Sequence, residues 1–275
     1  MLLSIKDLCI RFNSNLDKPV EAVRHVHLDI NEGEVLAVVG ESGSGKSVTA
    51  LSLTKLLPPS PRCMISGEIN FNGQGNLLNF SERQLQKIRG GGIAYIFQNA
   101  STALNPALTI GFQIAEAIRL HVPVDDVKTK VFEWLKKVGL DPEQHYDAYP
   151  FQLSGGMQQR AMIAVALACA PKILVADEPT TALDVTLQNQ IIDLLKTLRK
   201  TEHIAIIFIT HNLSLIKNFA DRAVVMYNGE VVEQGITKQI LEAPRHPYTR
   251  ALIQCVPSLE HADRRLKTIE DYQIL

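Results

Sequence analysis

The stretch "GESGSGKS", Gly40 to Ser47, constrains this chain more than any other. It fits G-x-x-x-x-G-K-[ST] in full, between an apolar run of buried-strand length ("EVLAVVG") and a helical pattern. Glycines there let successive backbone N–H groups turn inward and cradle phosphates, and the next helix begins with partial positive charge. Gly40, Glu41, Ser42, Gly43, Ser44 and Gly45 are therefore candidate nucleotide-binding residues. Lys46 is expected to reach the β- and γ-phosphates, and Ser47 to ligate Mg²⁺. A plain glycine-rich turn is the competing explanation, and the flanking strand and helix count against it.

A loop of this kind needs an acidic partner at the end of a neighbouring strand. "KILVADEP", Lys172 to Pro179, supplies Asp177 and Glu178 after four apolar residues. In doubly wound folds ligands bind at that end of the strands. Asp177 is expected to hold Mg²⁺, directly or through water, and Glu178 to act as general base toward the attacking water. Taken alone, the pair is equally a surface Asp-Glu at the start of a loop. His211 closes "IIFITH" and Gln98 closes "IAYIFQ". Each is either an ordinary polar end to a buried strand or a contact to the γ-phosphate, the water or Mg²⁺.

Around these motifs the period of the apolar pattern changes. "LLSIKDLCIRF" and "HVHLDI" alternate as strands, and "GEINFNG" reads as a short strand closed by a turn. A helix is expected from Ser47 to a stop at Pro58-Pro59. From Pro106 to Pro150 the pattern is helical, with Gly139 as a helix stop. Afterwards strand and helix alternate: "KILVAD", "TLQNQIIDLLKTLRK", "IAIIFIT", "LSLIKNFA", then a hairpin turning at Asn228-Gly229. The expected fold class is α/β, a mainly parallel sheet with helices, an antiparallel β-subdomain and a helical insert.

Composition narrows the partners. A net charge of -1 over 275 residues argues against a strongly basic nucleic-acid surface. The four cysteines are scattered without a C-x-x-C pair, which fits a reducing compartment and offers no metal site. No secretion signal is expected, because Lys6 and Asp7 interrupt the start. The longest apolar run, "AMIAVALACA", is about half of the roughly 20 residues a membrane span needs. Any link to a membrane would go through a partner.

One motif is left over. "LSGGMQQR", Leu153 to Arg160, looks like a second phosphate turn: Ser154 caps a helix, and Gly155 and Gly156 leave its first turn bare. In isolation it is as well explained as a capped core helix. The order of the phosphate loop, Gln98, helical insert, "LSGGMQQR", "ILVADEPTTALD" and "ITH" resembles the nucleotide-binding subunit of ATP-binding-cassette (ABC) transporters, over roughly Leu2 to Leu252. "STALNP", "MYNGEVVEQG" and the late "HPYTRAL" are similar to the oligopeptide, dipeptide and nickel importer ATPases in particular.

The resemblance implies a P-loop NTPase core and a dimer closing head to tail around two ATP molecules. Ser154, Gly155 and Gly156 would then act in trans on the γ-phosphate held by the other subunit, Asp184 would sit at the seam, and Phe12 would stack on adenine. It implies residues 1–98 and 161–235 as the ATP-binding core with the antiparallel β-subdomain, 99–160 as a helical insert ending in the signature motif, and 236–275 as a C-terminal helical tail. The implied partners are a second ABC ATPase subunit, like or unlike, two membrane permease subunits and an extracytoplasmic substrate-binding protein, with no nucleic acid. The implied place is peripheral, on the cytoplasmic face of the cell membrane. The implied activity is ATP hydrolysis driving import of oligopeptides or dipeptides. A nickel or other small-solute importer of the same subfamily, and a soluble non-transport ABC ATPase, are the alternatives. Three departures stand out: Asn99 and Asn212 occupy positions where the family often has Asp, and no cysteine cluster follows "HPYT", so no metal cluster is carried over.

Overall fold

The computed structural model describes residues 1–13, 19–181 and 183–255. The expected tail therefore lies outside the described residues beyond Cys255. In chain order the strands are β1 (Leu3–Phe12), β2 (Val20–Ile30), β3 (Val35–Val39), β4 (Cys63–Phe71), β5 (Ile93–Ile96), β6 (Ile173–Asp177), β7 (Ala205–Thr210), β8 (Arg222–Tyr227) and β9 (Glu230–Ile236). The helices are α1 (Lys46–Ser52), α2 (Glu82–Ile88), α3 (Ala100–Ala103), α4 (Ile110–His121), α5 (Val127–Lys137), α6 (Pro142–His145), α7 (Gly155–Ala168), α8 (Val185–Glu202), α9 (Leu213–Ile216), α10 (Thr237–Glu242) and α11 (Pro247–Gln254). The chain divides into two compact units, Met1–Asn79 with Phe208–Leu275, and Phe80–Ile207.

In the first unit, β2, β1 and β4 form an antiparallel sheet in that order. Leu3 and Ile5, then Leu8 and Ile10, of β1 are buried, an alternation that changes phase once along the strand. The register shifts between Ile5 and Leu8, beside Asp7 at φ 50°, and again between Leu8 and Ile10, beside His25 at φ 45°. The Asp7 and His25 side chains meet at 2.6 Å, an exposed ion pair that raises the imidazole's proton affinity. β3 is buried at every residue and runs parallel to β8, and β8 returns as β9. That hairpin turns at Asn228 (φ 48°) and Gly229 (φ 85°), the two positive φ values that a type I′ turn demands. Arg222 ties this unit together, donating to Asp29 at 3.0 Å and to Glu34 at 3.1 Å.

The sequence expectation fails in two places here. The helix after the phosphate loop ends at Ser52 rather than at Pro58-Pro59. Lys55 takes φ 53°, its N–H donates to Ser52 O at 3.1 Å, and the Leu56 N–H donates to Leu51 O at 3.0 Å. That bond pair is a Schellman stop built on a lysine, so no glycine or proline marks it. The strand read as short, "GEINFNG", starts earlier and runs for nine residues, because Cys63 to Ser66 pair with β1.

In the second unit, β5 and β6 pair in parallel from Ile93↔Ile173 to Ile96↔Ala176. Ile114, Ile118, Val131, Trp134, Leu135, Ile163 and Leu167 of α4, α5 and α7 are buried. Gly139 does end α5, with φ 77° and the 6→1 bond from Leu140 N–H to Leu135 O at 2.8 Å. Arg160 of α7 donates to the neighbouring Val138 carbonyl at 2.7 Å.

Candidate functional site

The phosphate loop leaves β3 at Gly40 and enters α1 at Lys46. Gly40 cannot be replaced cheaply, because a Cβ there would lie 2.2 Å from the Met226 carbonyl oxygen. Gly45 takes φ 99°, and its Cβ would meet Ala22 O at 2.6 Å. The loop is wound on itself: the Ser44 N–H donates to Glu41 O at 3.2 Å. Lys46 is 5% exposed, and its ammonium donates to Gly40 O at 2.8 Å and to Glu41 O at 2.7 Å. Two bonds come from elsewhere in the unit. The Gly229 N–H donates to Ser44 O at 3.2 Å, and the Glu41 N–H donates to the Tyr248 hydroxyl oxygen at 3.1 Å. Ser47 is half-buried in the first turn of α1, Glu41, Ser42 and Gly43 are exposed, and Ser44 is buried. Phe12 is half-buried at the end of β1, opposite Val20 and Cys63. His211 is exposed directly after β7.

The second unit brings the acidic pair and the glutamine together. Asp177 is the last residue of β6, and Glu178 follows at φ 46°. A left-handed conformation costs a β-carbon residue about 1–2 kcal/mol, and strain of this kind concentrates at functional positions. Oε2 of Glu178 takes the Thr181 hydroxyl at 2.8 Å and the Gln98 amide at 3.2 Å. Parallel pairing of β5 with β6 is what delivers Gln98 there. Thr181 was not singled out from the sequence. Its signal is the three-residue offset from Glu178: the Thr181 N–H donates to Glu178 O at 3.3 Å, a turn that brings the hydroxyl beside the carboxylate.

Ser154 caps α7 as expected, its hydroxyl accepting from the Met157 N–H at 3.4 Å. Asp184 caps α8, accepting from the Leu187 N–H at 2.9 Å. The starts of the two helices touch: a Cβ on Gly156 would stand 3.3 Å from Leu187, whereas one on Gly155 would have nothing within 4 Å. A side chain at Gly156 would thus press on Leu187, whereas one at Gly155 would face open space.

A shared entry device emerges at these helices. Gln158, four residues after the Ser154 cap, donates through one amide nitrogen to Pro150 O and Leu153 O at 2.9 and 3.1 Å. Gln188, four after the Asp184 cap, does the same to Thr180 O and Leu183 O, both at 3.1 Å. Gln113, four after the Thr109 cap of α4, does so to Asn105 O and Leu108 O at 3.1 and 3.0 Å. The pattern L-[STD]-x-x-x-Q recurs at Leu108, Leu153 and Leu183, so the sequence carries the signal for all three. The two departures from aspartate also act as caps. Asn99 Oδ1 accepts from Ser101 N–H at 3.1 Å, and Asn212 Oδ1 accepts from Ser214 N–H at 3.0 Å, so the amide preserves the acceptor.

Comparison with known proteins fits this geometry. Residues 23–181 match the ABC transporter family, and residues 232–274 match the C-terminal region of oligopeptide/dipeptide transporters. The chain is 47% identical over 262 residues to the oligopeptide transport ATP-binding protein OppD of Bacillus subtilis, covering 94% of this chain and 73% of that protein. It is 45% identical over 271 residues to the dipeptide transport ATP-binding protein DppD of Escherichia coli, covering 98% of this chain and 82% of that protein. Among solved structures, the dimeric ATP-binding cassette MJ0796, in a post-hydrolysis state bound to ADP and Pi, aligns with a TM-score of 0.75 at 29% identity, over 86% of this chain and 99% of that one.

Proposed function

Because the chain belongs to the ABC transporter family, we propose that it is the ATP-hydrolysing subunit of an importer for oligopeptides or dipeptides. The observation that carries the cargo class is the match of residues 232–274 to the oligopeptide/dipeptide transporter C-terminal region, joined to the family match at 23–181. Among the described residues no helix is long and apolar enough to cross a membrane. The chain is accordingly proposed to act peripherally, at the cytoplasmic face, with two permease subunits, a second ATPase subunit and an extracytoplasmic binding protein, and without nucleic acid. We assign residues 1–98 and 161–235 to the ATP-binding core, 99–160 to the insert that contacts the permease, and 236–275 to the tail.

ATP is held in this reading by the loop from Gly40 to Ser47, with Phe12 against adenine. Lys46 sets its ammonium against the β- and γ-phosphates, where negative charge accumulates during transfer. Glu178 accepts the proton of the attacking water. The Thr181 hydroxyl and Gln98 amide fix the carboxylate for that task, and His211 contacts the γ-phosphate or the water. The hydroxyl of Ser47, the carboxylate of Asp177 and the amide oxygen of Gln98 are the hard oxygen donors that Mg²⁺ prefers. Magnesium bound by them would neutralise phosphate charge. Ser154, Gly155 and Gly156 present the start of α7 to ATP held by the second subunit, with Asp184 beside that seam; the open face of Gly155 supports this.

The test is transport. The chain, its partner ATPase, the permeases and the binding protein are reconstituted in vesicles and supplied with labelled di- and oligopeptides. ATP-dependent peptide accumulation is expected, and Glu178→Gln abolishes it. Accumulation of nickel with no peptide uptake would replace the cargo assignment with the metal-importer alternative.

A further inference from the structure

"HPYTRAL" marks a subfamily in the sequence, but the proposed hydrolysis gives it no task. The first unit gives it one. Glu233 of β9 accepts the Arg245 and His246 N–H groups at 2.8 and 3.0 Å, which pins the segment before α11. His246 caps α11, its Nδ1 accepting from the Tyr248 N–H at 3.2 Å, and Pro247 opens the helix. Tyr248 is fully buried, with its ring 4.2 Å from that of Tyr227, so its hydroxyl has a fixed position. That hydroxyl meets the phosphate loop at the Glu41 N–H. The carbonyl on the other side of the same peptide, Gly40 O, is the one that receives the Lys46 ammonium at 2.8 Å. One peptide plane is therefore held from both edges, by Tyr248 on its N–H and by Lys46 on its oxygen.

We infer that Tyr248 is a positioning residue for ATP binding: it fixes the Gly40–Glu41 peptide, and through it Lys46, before the nucleotide arrives. The hydroxyl takes up the Glu41 N–H, a backbone group of the loop. It therefore acts on loop order rather than on ATP itself. A preorganised loop binds more tightly because less ordering is charged against association. Once phosphates occupy the loop they order it themselves, so the effect belongs to binding and not to the chemical step. This rests on the reading of Gly40 to Ser47 as the nucleotide loop.

Tyr248→Phe removes the hydroxyl and keeps the ring against Tyr227. In the intact chain, the ATP dissociation constant is expected to rise about three- to tenfold, the worth of one net hydrogen bond. In the assembled transporter, KM for ATP should rise by a similar factor while kcat changes by less than about twofold. Amide exchange should quicken at residues 40–46 and stay unchanged across β1, β2 and β4. Wild-type affinity in the variant, a fall in kcat with KM unchanged, or faster exchange throughout the unit would each overturn the inference. Failure of the unmodified chain to bind ATP is a different result, and would remove the nucleotide reading itself.

Discussion

The hydroxyl of Thr181 donates to Oε2 of Glu178 at 2.8 Å, and that carboxylate stands on a backbone at φ 46°. A general base must present its oxygen in one direction, and a free glutamate has three rotatable bonds with which to miss. The left-handed backbone sets where the side chain begins, and Thr181 sets where it ends.

Glu178→Gln keeps the shape and removes the basic oxygen. ATP binding should persist while turnover by the paired subunits falls about 10²–10⁴-fold, the usual worth of a general base. Equilibrium ATP titration beside steady-state hydrolysis checks this, and near-normal hydrolysis would refute the role.

Thr181→Val keeps the volume and removes the hydroxyl. Turnover should fall about tenfold, since a hydrogen bond to a charged group contributes roughly 1.5–3 kcal/mol and the Gln98 amide remains. Thr181→Ser should restore most of the loss.

The two signature glycines should separate in their effects. Gly155→Asp places a carboxylate on open surface, so the chain should fold and bind ATP normally but fail to form the ATP-closed dimer with a Glu178→Gln partner, as read by size-exclusion chromatography. Gly156→Val drives a branched side chain into Leu187, and should cost about 1–3 kcal/mol in denaturant unfolding, the range for overpacking.

The glutamine at each helix entry should matter to stability. Gln188→Leu removes the side-chain donor of Leu183 O, while Thr180 O keeps the Leu183 N–H at 3.1 Å; Gln158→Leu likewise strips Leu153 O, while Pro150 O keeps the Leu153 N–H at 3.1 Å. Each change should cost about 1–3 kcal/mol by urea unfolding, the penalty for unpaired polar groups. A loss below about 0.5 kcal/mol would show that water replaces the amide.

Alkaline stability should carry the signature of Tyr248. Burial pushes its phenol up to about 12. A raised value means that the folded state holds its proton where the unfolded chain releases it near pH 10. The stability this contributes is complete below about pH 10 and is lost as pH rises through about 12. Urea unfolding of wild type and Tyr248→Phe at pH 9 and pH 11 should therefore show a gap that shrinks at the higher pH.

Much of the candidate site was legible because its elements are local. A phosphate loop is built from consecutive backbone N–H groups, so its whole requirement is written in eight adjacent residues, Gly40 to Ser47. Caps work the same way: Ser154, Asp184 and Asn212 bond N–H groups two or three residues ahead. The Asn228-Gly229 turn and the stop at Gly139 follow from which residues accept positive φ. Even the end of α1 was missed for a local reason, because a lysine took the position that glycine usually fills.

Tertiary structure alone decided the contacts between segments that no period or motif connects. Tyr248 reaches Glu41 across 207 residues of chain, and Gly156 faces Leu187 of another helix, 3.3 Å from where a Cβ would be. A one-dimensional pattern records which side of an element is apolar or where a backbone turns. It does not record which distant side chain the packed core brings opposite, since that depends on every intervening element being placed first. The sequence thus determined the kind of chemistry this protein performs, while the fold decided which residues hold that chemistry in position.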